Sequence, residues 1–541
     1  MNSVTVWGQA RTEPSATETT RPGRTETAPA ETRRTTEPAT TQRTRPTTET
    51  APGVTERPQT ATGRGGAGGP PLATNVDETP VVTHHKMELD GKTIEYTVTV
   101  AQMPIKDNSG EIEAHICYFA YTLDHAEPSK RPLTFAFNGG PGSASIWVHM
   151  GAMGPRKAVL TDHGDMPPPP FGLIDNPNTW LDQTDLVFID PVGTGYSRAK
   201  TVEAARRMNG VRGDIQSVAE FIRLYLTRNN RWMSPLFIAG ESYGTFRAAG
   251  LAGALVEDGI AVNGVTLIST ILNYGTGRGS LINNTPYALD VPTFTADAWY
   301  HKRLDPELQR DLKATLKEVE GWAMSTYLEA LNKGDTIGED ERKAVVDKLA
   351  RYTGLQPTYV DNSNLRIDVG HFTRELLRDK KLTIGRYDGR LTGPSPLNAG
   401  EVSEFDPSGS LPRPPFQAAF MQYLHNELDY KSDMTYYVQG GILNWDWGTE
   451  NNYVDTTAAL RDAFTKNPHL KVMVCAGYFD LATPYAAAQY TLNHMGIHPE
   501  TQKSITWQFY EAGHMMYIEK SCHAKLKKDI TDFIRAAAPG T

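Results

Sequence analysis

Pro235-Leu236-Phe237-Ile238-Ala239-Gly240-Glu241-Ser242-Tyr243-Gly244-Thr245-Phe246-Arg247 decides the fold. Pro235 to Ala239 is a short apolar run that reads as a buried strand. Residues 245–255 read as a helix packed closely against a neighbour. Between them lies Gly-x-Ser-x-Gly, the turn that a nucleophile elbow needs between strand and helix. Residues two before and two after the serine cannot carry side chains there without clashing. Gly240 and Gly244 remove the clash and permit unusual backbone angles. Ser242 then stands at the head of a helix, where partial positive charge favours a developing anion. No other Gly-x-Ser-x-Gly occurs in the 541 residues.

The flanks of this stretch alternate strands and helices. Leu133–Phe137, Asp185–Ile189 and Val265–Ile268 are apolar runs of the kind found in parallel strands. Asp214–Arg228 has apolar residues near the helical period. Residues 86–98 alternate around Asp90-Gly91, which signals a hairpin, and a further strand lies within Ile112–Leu123. From about Asn273 to Asn452 the alternation stops. Helical stretches are expected at Pro306–Lys333, Asp340–Gly354, Leu365–Lys380 and Phe416–Tyr430. The rhythm returns with a helix at Val454–Lys466, a strand at Leu470–Cys475, a helix at Tyr485–Met495, a strand at Ile505–Tyr510 and a helix at Ala524–Ala537. The expectation is an α/β-hydrolase fold, with a mostly parallel central sheet flanked by helices and an inserted, mainly helical cap. The core would be residues 79–272 and 453–541, and the cap 273–452.

Residues 9 to about 75 are Thr, Pro, Arg, Glu, Ala and Gly with few large apolar side chains. Such a segment cannot bury enough surface to offset its ordering entropy, so a disordered tail is expected over 1–78. The net charge of −9, with no basic stripe beyond residue 80, argues against nucleic acid as the main partner. No apolar run approaches the roughly 20 residues that span a bilayer. The first residues lack the charged-then-apolar pattern of a secretory signal. Cys117, Cys475 and Cys522 are scattered and odd in number, which suggests neither a disulfide framework nor a zinc cluster. His494 and His498 are four apart but no Glu completes a zinc helix, so no metal or other cofactor is expected.

A serine hydroxyl needs a base, and the base an orienting acid. In this architecture they follow the serine in the order acid, then His. Asp480 lies just after the strand at 470–475, and His514 just after the strand at 505–510. C-terminal strand edges are where such sheets place their sites. His514 Nε2 would take the Ser242 proton while Asp480 holds Nδ1–H. The oxyanion would be met by the backbone N–H of Tyr243 and by one from the loop Asn138-Gly139-Gly140-Pro141-Gly142, for which Gly140 is the choice.

Phe137-Asn138-Gly139-Gly140-Pro141-Gly142, Asp190-Pro191-Val192-Gly193-Thr194-Gly195-Tyr196-Ser197, Gly240-Glu241-Ser242-Tyr243-Gly244, Gly477-Tyr478-Phe479-Asp480 and Ala512-Gly513-His514-Met515 together resemble the serine carboxypeptidase family over roughly residues 85 to 538. They are most similar to its bacterial members. The resemblance implies a metal-free enzyme that removes the C-terminal residue of peptides, best at acidic pH. It also implies export to the periplasm or outside the cell. Asn138, Gly139 and Glu241 would bind the substrate's terminal carboxylate. A glutamate beside that carboxylate makes physical sense if the two share a proton. The sequence departs from well-known eukaryotic members at Ala152, where they carry a Glu that helps orient the carboxylate-binding Glu, and at Ser143, where a cysteine is usual. An esterase or acyltransferase with the same triad, and a non-catalytic binding protein on the same fold, are the alternatives. The aromatics Trp445, Trp447 and Tyr300 read as core.

Overall fold

The computed structural model describes residues 70–450 and 452–540. The expected tail lies outside the described residues up to position 69. The hairpin forms where the sequence places it. Strands β1 (Val81–Leu89) and β2 (Lys92–Lys106) pair antiparallel, with Leu89 opposite Lys92. Asp90 and Gly91 both have positive φ, 50° and 73°, as a two-residue turn between twisted strands requires. β3 (Ile112–Leu123) continues the meander.

The apolar runs become the parallel part of the sheet. They are β4 (Leu133–Phe137), β5 (Asp185–Ile189), β6 (Leu236–Glu241) and β7 (Gly264–Ile268), buried at every residue. β8 (Lys471–Gly477) and β9 (Ile505–Tyr510) complete the path. The spatial order is β1-β2-β3-β5-β4-β6-β7-β8-β9, antiparallel up to the β3–β5 pair and parallel beyond it. This is an α/β-hydrolase fold. Helices α1 (Val211–Arg228) and α2 (Tyr243–Glu257) bury apolar faces against the sheet. On its other face pack the C-terminal helix Lys520–Ala537 and the short helical segment Val148–Met153.

Between β7 and β8 the chain is mainly helical, and it is not uniform. Its first helices, from Thr285 to Glu375, close a hydrophobic cluster of their own around Phe294, Val319, Leu349 and Phe372. Helix Arg413–Asn426 instead inserts Phe416, Phe420 and Tyr423 into the cluster beneath the sheet. The stretch expected as helix over 306–333 begins at Leu312 and passes through a wider turn at Ala323–Tyr327. Helix Thr285–Tyr300 was not anticipated, because Pro292 sits inside it. Proline within a helix removes a hydrogen bond and reads as a break. This helix tolerates it because its flanks are buried on nearly all sides.

Candidate active site

Ser242 has φ 60° and ψ −131°, backbone angles that cost a non-glycine residue about 1–3 kcal/mol. The surrounding packing forces them. A Cβ at Gly240 would lie 2.1 Å from Gly244 O, so the elbow closes only with glycine there. Ser242 N–H donates to Ile268 O at 2.9 Å, fixing the elbow to β7. The serine is half-buried. Tyr243 opens α2, so its amide has no partner within the helix.

The loop after β4 lies against this turn. A Cβ on Gly139 would be 2.4 Å from both Tyr243 N and Gly244 N. Gly140, at φ 101°, is exposed. Asn138 is buried; its Oδ1 accepts from Val148 N–H at 3.1 Å. Arg247, the one buried charge in this helix, braces loop and elbow together. It donates to Asn138 O at 2.7 Å and to Asp214 Oδ2 at 2.7 Å. Both members of that ion pair are buried.

Asp480 and His514 meet at adjacent strand ends. His514 Nδ1 lies 2.8 Å from Asp480 Oδ2, with the two side chains 3% and 0% exposed. The proton is therefore assigned to Nδ1, which leaves Nε2 as the basic nitrogen. Asp480 is held by the turn that follows it. Its Oδ1 accepts from Ala482 N–H at 2.9 Å and Thr483 N–H at 3.1 Å, and its Oδ2 from the Thr483 hydroxyl at 2.6 Å. Burial alone would push this carboxyl up. The His514 charge and the donors of His514 and Thr483 outweigh it and hold Asp480 below its usual range. Burial likewise opposes charge on His514, but Asp480 and then Glu241 raise it above the ordinary histidine value. His514 is also fixed through its backbone. Its N–H donates to Tyr387 O at 2.6 Å and its O accepts from the Ser269 hydroxyl at 2.6 Å.

Glu241 is 3% exposed. Burial, above all, pushes its carboxyl up to about 7, with the His514 charge and the Tyr517 hydroxyl pulling it part of the way back. Tyr517 Oη donates to Glu241 Oε2 at 2.5 Å. A carboxyl in this state carries a proton at mildly acidic pH and can donate to an anion.

Every expected site residue thus lies at the C-terminal end of β4, β6, β8 or β9. Sequence reading missed Thr483, Arg247 and Tyr517. Arg247 was detectable as an isolated charge on an apolar helix. Trp445 and Trp447, read as core, are partly buried and pack on the cluster of Tyr243, Phe246 and Val454, their rings 5.4 and 6.2 Å from Tyr243; Tyr300, also read as core, is exposed. His494 and His498 do not converge: His494 Nδ1 meets Tyr490 O, and His498 Nδ1 accepts from Glu500 N–H. Among the described residues no cluster of His, Cys, Asp and Glu could hold a metal ion.

The serine carboxypeptidase family model matches residues 106–527, most of the chain. The chain belongs to the serine carboxypeptidase family. Curated relatives include serine carboxypeptidase ctsa-3.1 of Caenorhabditis elegans, 24% identical over 43% of this chain and 40% of its own length. Serine carboxypeptidase-like 20 of Arabidopsis thaliana is 24% identical over 51% of each chain. Serine carboxypeptidase-like 36 of the same plant is 23% identical over 70% of this chain and 67% of its own. The chain therefore spans about half or less of the length of the first two relatives. Among solved structures, proline iminopeptidase of Mycobacterium smegmatis aligns over 81% of this chain and 98% of its own, at 14% identity and a TM-score of 0.35. No described helix of this family member is long and apolar enough to cross a membrane.

Proposed function

We propose that this family member is a serine-type carboxypeptidase that releases C-terminal residues from peptides through an acyl-enzyme on Ser242. Ser242 Oγ attacks the scissile carbonyl carbon as His514 Nε2 takes its proton. The carbonyl oxygen becomes an oxyanion facing the amides of Tyr243 and Gly140. When the C–N bond breaks, His514 returns the proton to the leaving amine, and the C-terminal residue departs. Water then adds to the acyl carbon, giving a proton to His514, and Ser242 Oγ leaves and recovers it. Asp480 keeps the imidazole in the required tautomer throughout.

The observation that carries the peptidase reading over other acyl transfers is the buried Glu241 beside the nucleophile, with a carboxyl raised to about 7. A protonated carboxyl there, with Asn138 and Gly139 on the facing loop, suits a substrate with a free carboxylate. Ionised, it would repel one.

We also place the chain with the bacterial type of the family, a reading supported by Ser143 and Ala152. We take 273–452 as a cap, supported by the separate cluster around Phe294 and Leu349. Helix Arg413–Asn426 belongs energetically to the core.

The test compares a blocked dipeptide with its C-terminal amide, beside labelling of Ser242 by an organophosphonate. The expected outcome is an adduct on Ser242 and preferential cleavage of the free acid. Activity on esters alone would point to the esterase reading, and no adduct to a non-catalytic protein.

A further inference from the structure

Glu241 can bind a carboxylate only if its own carboxyl is held in place. The residue at 152 does not hold it: Ala152 is fully buried and brings no polar side-chain atom. Tyr517 is three residues beyond His514, in the turn Met516–Ile518, and is 1% exposed. Its hydroxyl reaches Glu241 Oε2 at 2.5 Å. The neighbour of Ala152 makes the room. A Cβ on Gly151 would lie 2.6 Å from Tyr517 Cε2, so the tyrosine ring occupies the space any side chain at 151 would need. Small residues at 151 and 152 and a large one at 517 form one steric unit.

We infer that Tyr517 is a positioning residue for carboxylate recognition: its hydroxyl fixes Oε2 of Glu241 and leaves Oε1 as the oxygen that meets the substrate. The inference rests on the carboxypeptidase reading above. A phenol suits this task. Burial, with Glu241 next, pushes the Tyr517 hydroxyl well above its ordinary value, so it remains a donor across the working pH range. A second carboxyl in its place would itself titrate. Glu241 is faced by His514 and Tyr517 from the segment after β9, by Asp480 from the turn after β8, and by Asn138 from the loop after β4. Of these, Tyr517 and Asn138 are the uncharged donors. Because Tyr517 favours the Glu241 anion, its loss should move the Glu241 titration upward.

The experiment compares wild type with Tyr517→Phe, which keeps the ring against Gly151. KM and kcat are read from about pH 5 to 9 on a free-acid peptide and on its amide. The expected result is a KM for the free acid raised about tenfold, with kcat within about twofold, since the lost bond is to an ionisable group. The alkaline limb of KM moves to higher pH, amide cleavage and Ser242 labelling are unchanged, and in a Glu241→Gln background the same substitution has little further effect. Should Tyr517→Phe fail to label, 3-fluorotyrosine at 517 keeps ring and hydroxyl and donates more strongly; it moves the limb to lower pH. An unshifted limb with unchanged KM, or equal losses on acid and amide, overturns the inference while leaving the carboxypeptidase reading intact. Wild type cleaving acid and amide equally overturns both.

Discussion

Replacing Glu241 by Gln separates the protonation of this residue from its shape. The carboxyl is raised from its ordinary 4.5 to about 7, chiefly by burial. The sign follows from linkage. Below about pH 4.5 both folded and unfolded chains hold the proton and stability is unaffected. Between 4.5 and 7 the unfolded chain releases it while the folded chain does not, so stability falls as pH rises. Above 7 the folded chain carries a buried charge at a full penalty of roughly 3 kcal/mol, at 1.36 kcal/mol per pH unit. The amide never ionises. Denaturant unfolding should therefore find Glu241→Gln as stable as wild type at about pH 4 and more stable, by up to about 3 kcal/mol, at pH 8. Substrate binding should show the same titration. The wild-type KM for a free-acid peptide should climb about tenfold per pH unit once Glu241 ionises. The variant, a neutral donor at all pH, should lack that climb and bind several-fold more weakly than wild type at about pH 5. A wild-type KM flat through neutrality, or equal stability of the two proteins at pH 8, would show that Glu241 does not hold its proton in this way.

Asp480→Asn should preserve the fold and lower kcat by about 10⁴, read in steady-state kinetics, because the imidazole loses its tautomer and its counter-charge. Gly139→Ala should abolish activity and lower the melting temperature, since its Cβ would stand 2.4 Å from two backbone nitrogens of the elbow. Arg247→Met should destabilise by about 3–5 kcal/mol in denaturant unfolding, because Asp214 is left buried and uncompensated. Thr483→Val should cost about 1–3 kcal/mol in stability and lower kcat, measured together, since one donor to Asp480 is lost.

What was legible in the sequence was local. Gly240 and Gly244 declared the elbow because only glycine survives that turn, and apolar runs of four or five residues declared β4 to β7. Asp480 and His514 were readable from chain order together with their places just after two strands. What was not legible depends on contacts between distant segments. Tyr517 reaches Glu241 across 276 positions, and nothing in Met515-Met516-Tyr517 marks one aromatic as a ligand-side donor. The loop carrying Tyr387 clamps His514 by its backbone, which leaves no trace in side-chain pattern. Pro292 hid a helix because its tolerance there is a property of the surrounding packing.

Ser242 chemistry in this protein is directed, on the proposed function, to free C-termini. Incubating the protein with a peptide and its C-terminally amidated twin, and following both by mass spectrometry, tests it most directly. The expected result is stepwise loss of single residues from the C-terminus of the free peptide, little change in the amidated one, and no change in either with Ser242→Ala. Internal cleavage, or equal trimming of both peptides, would contradict it.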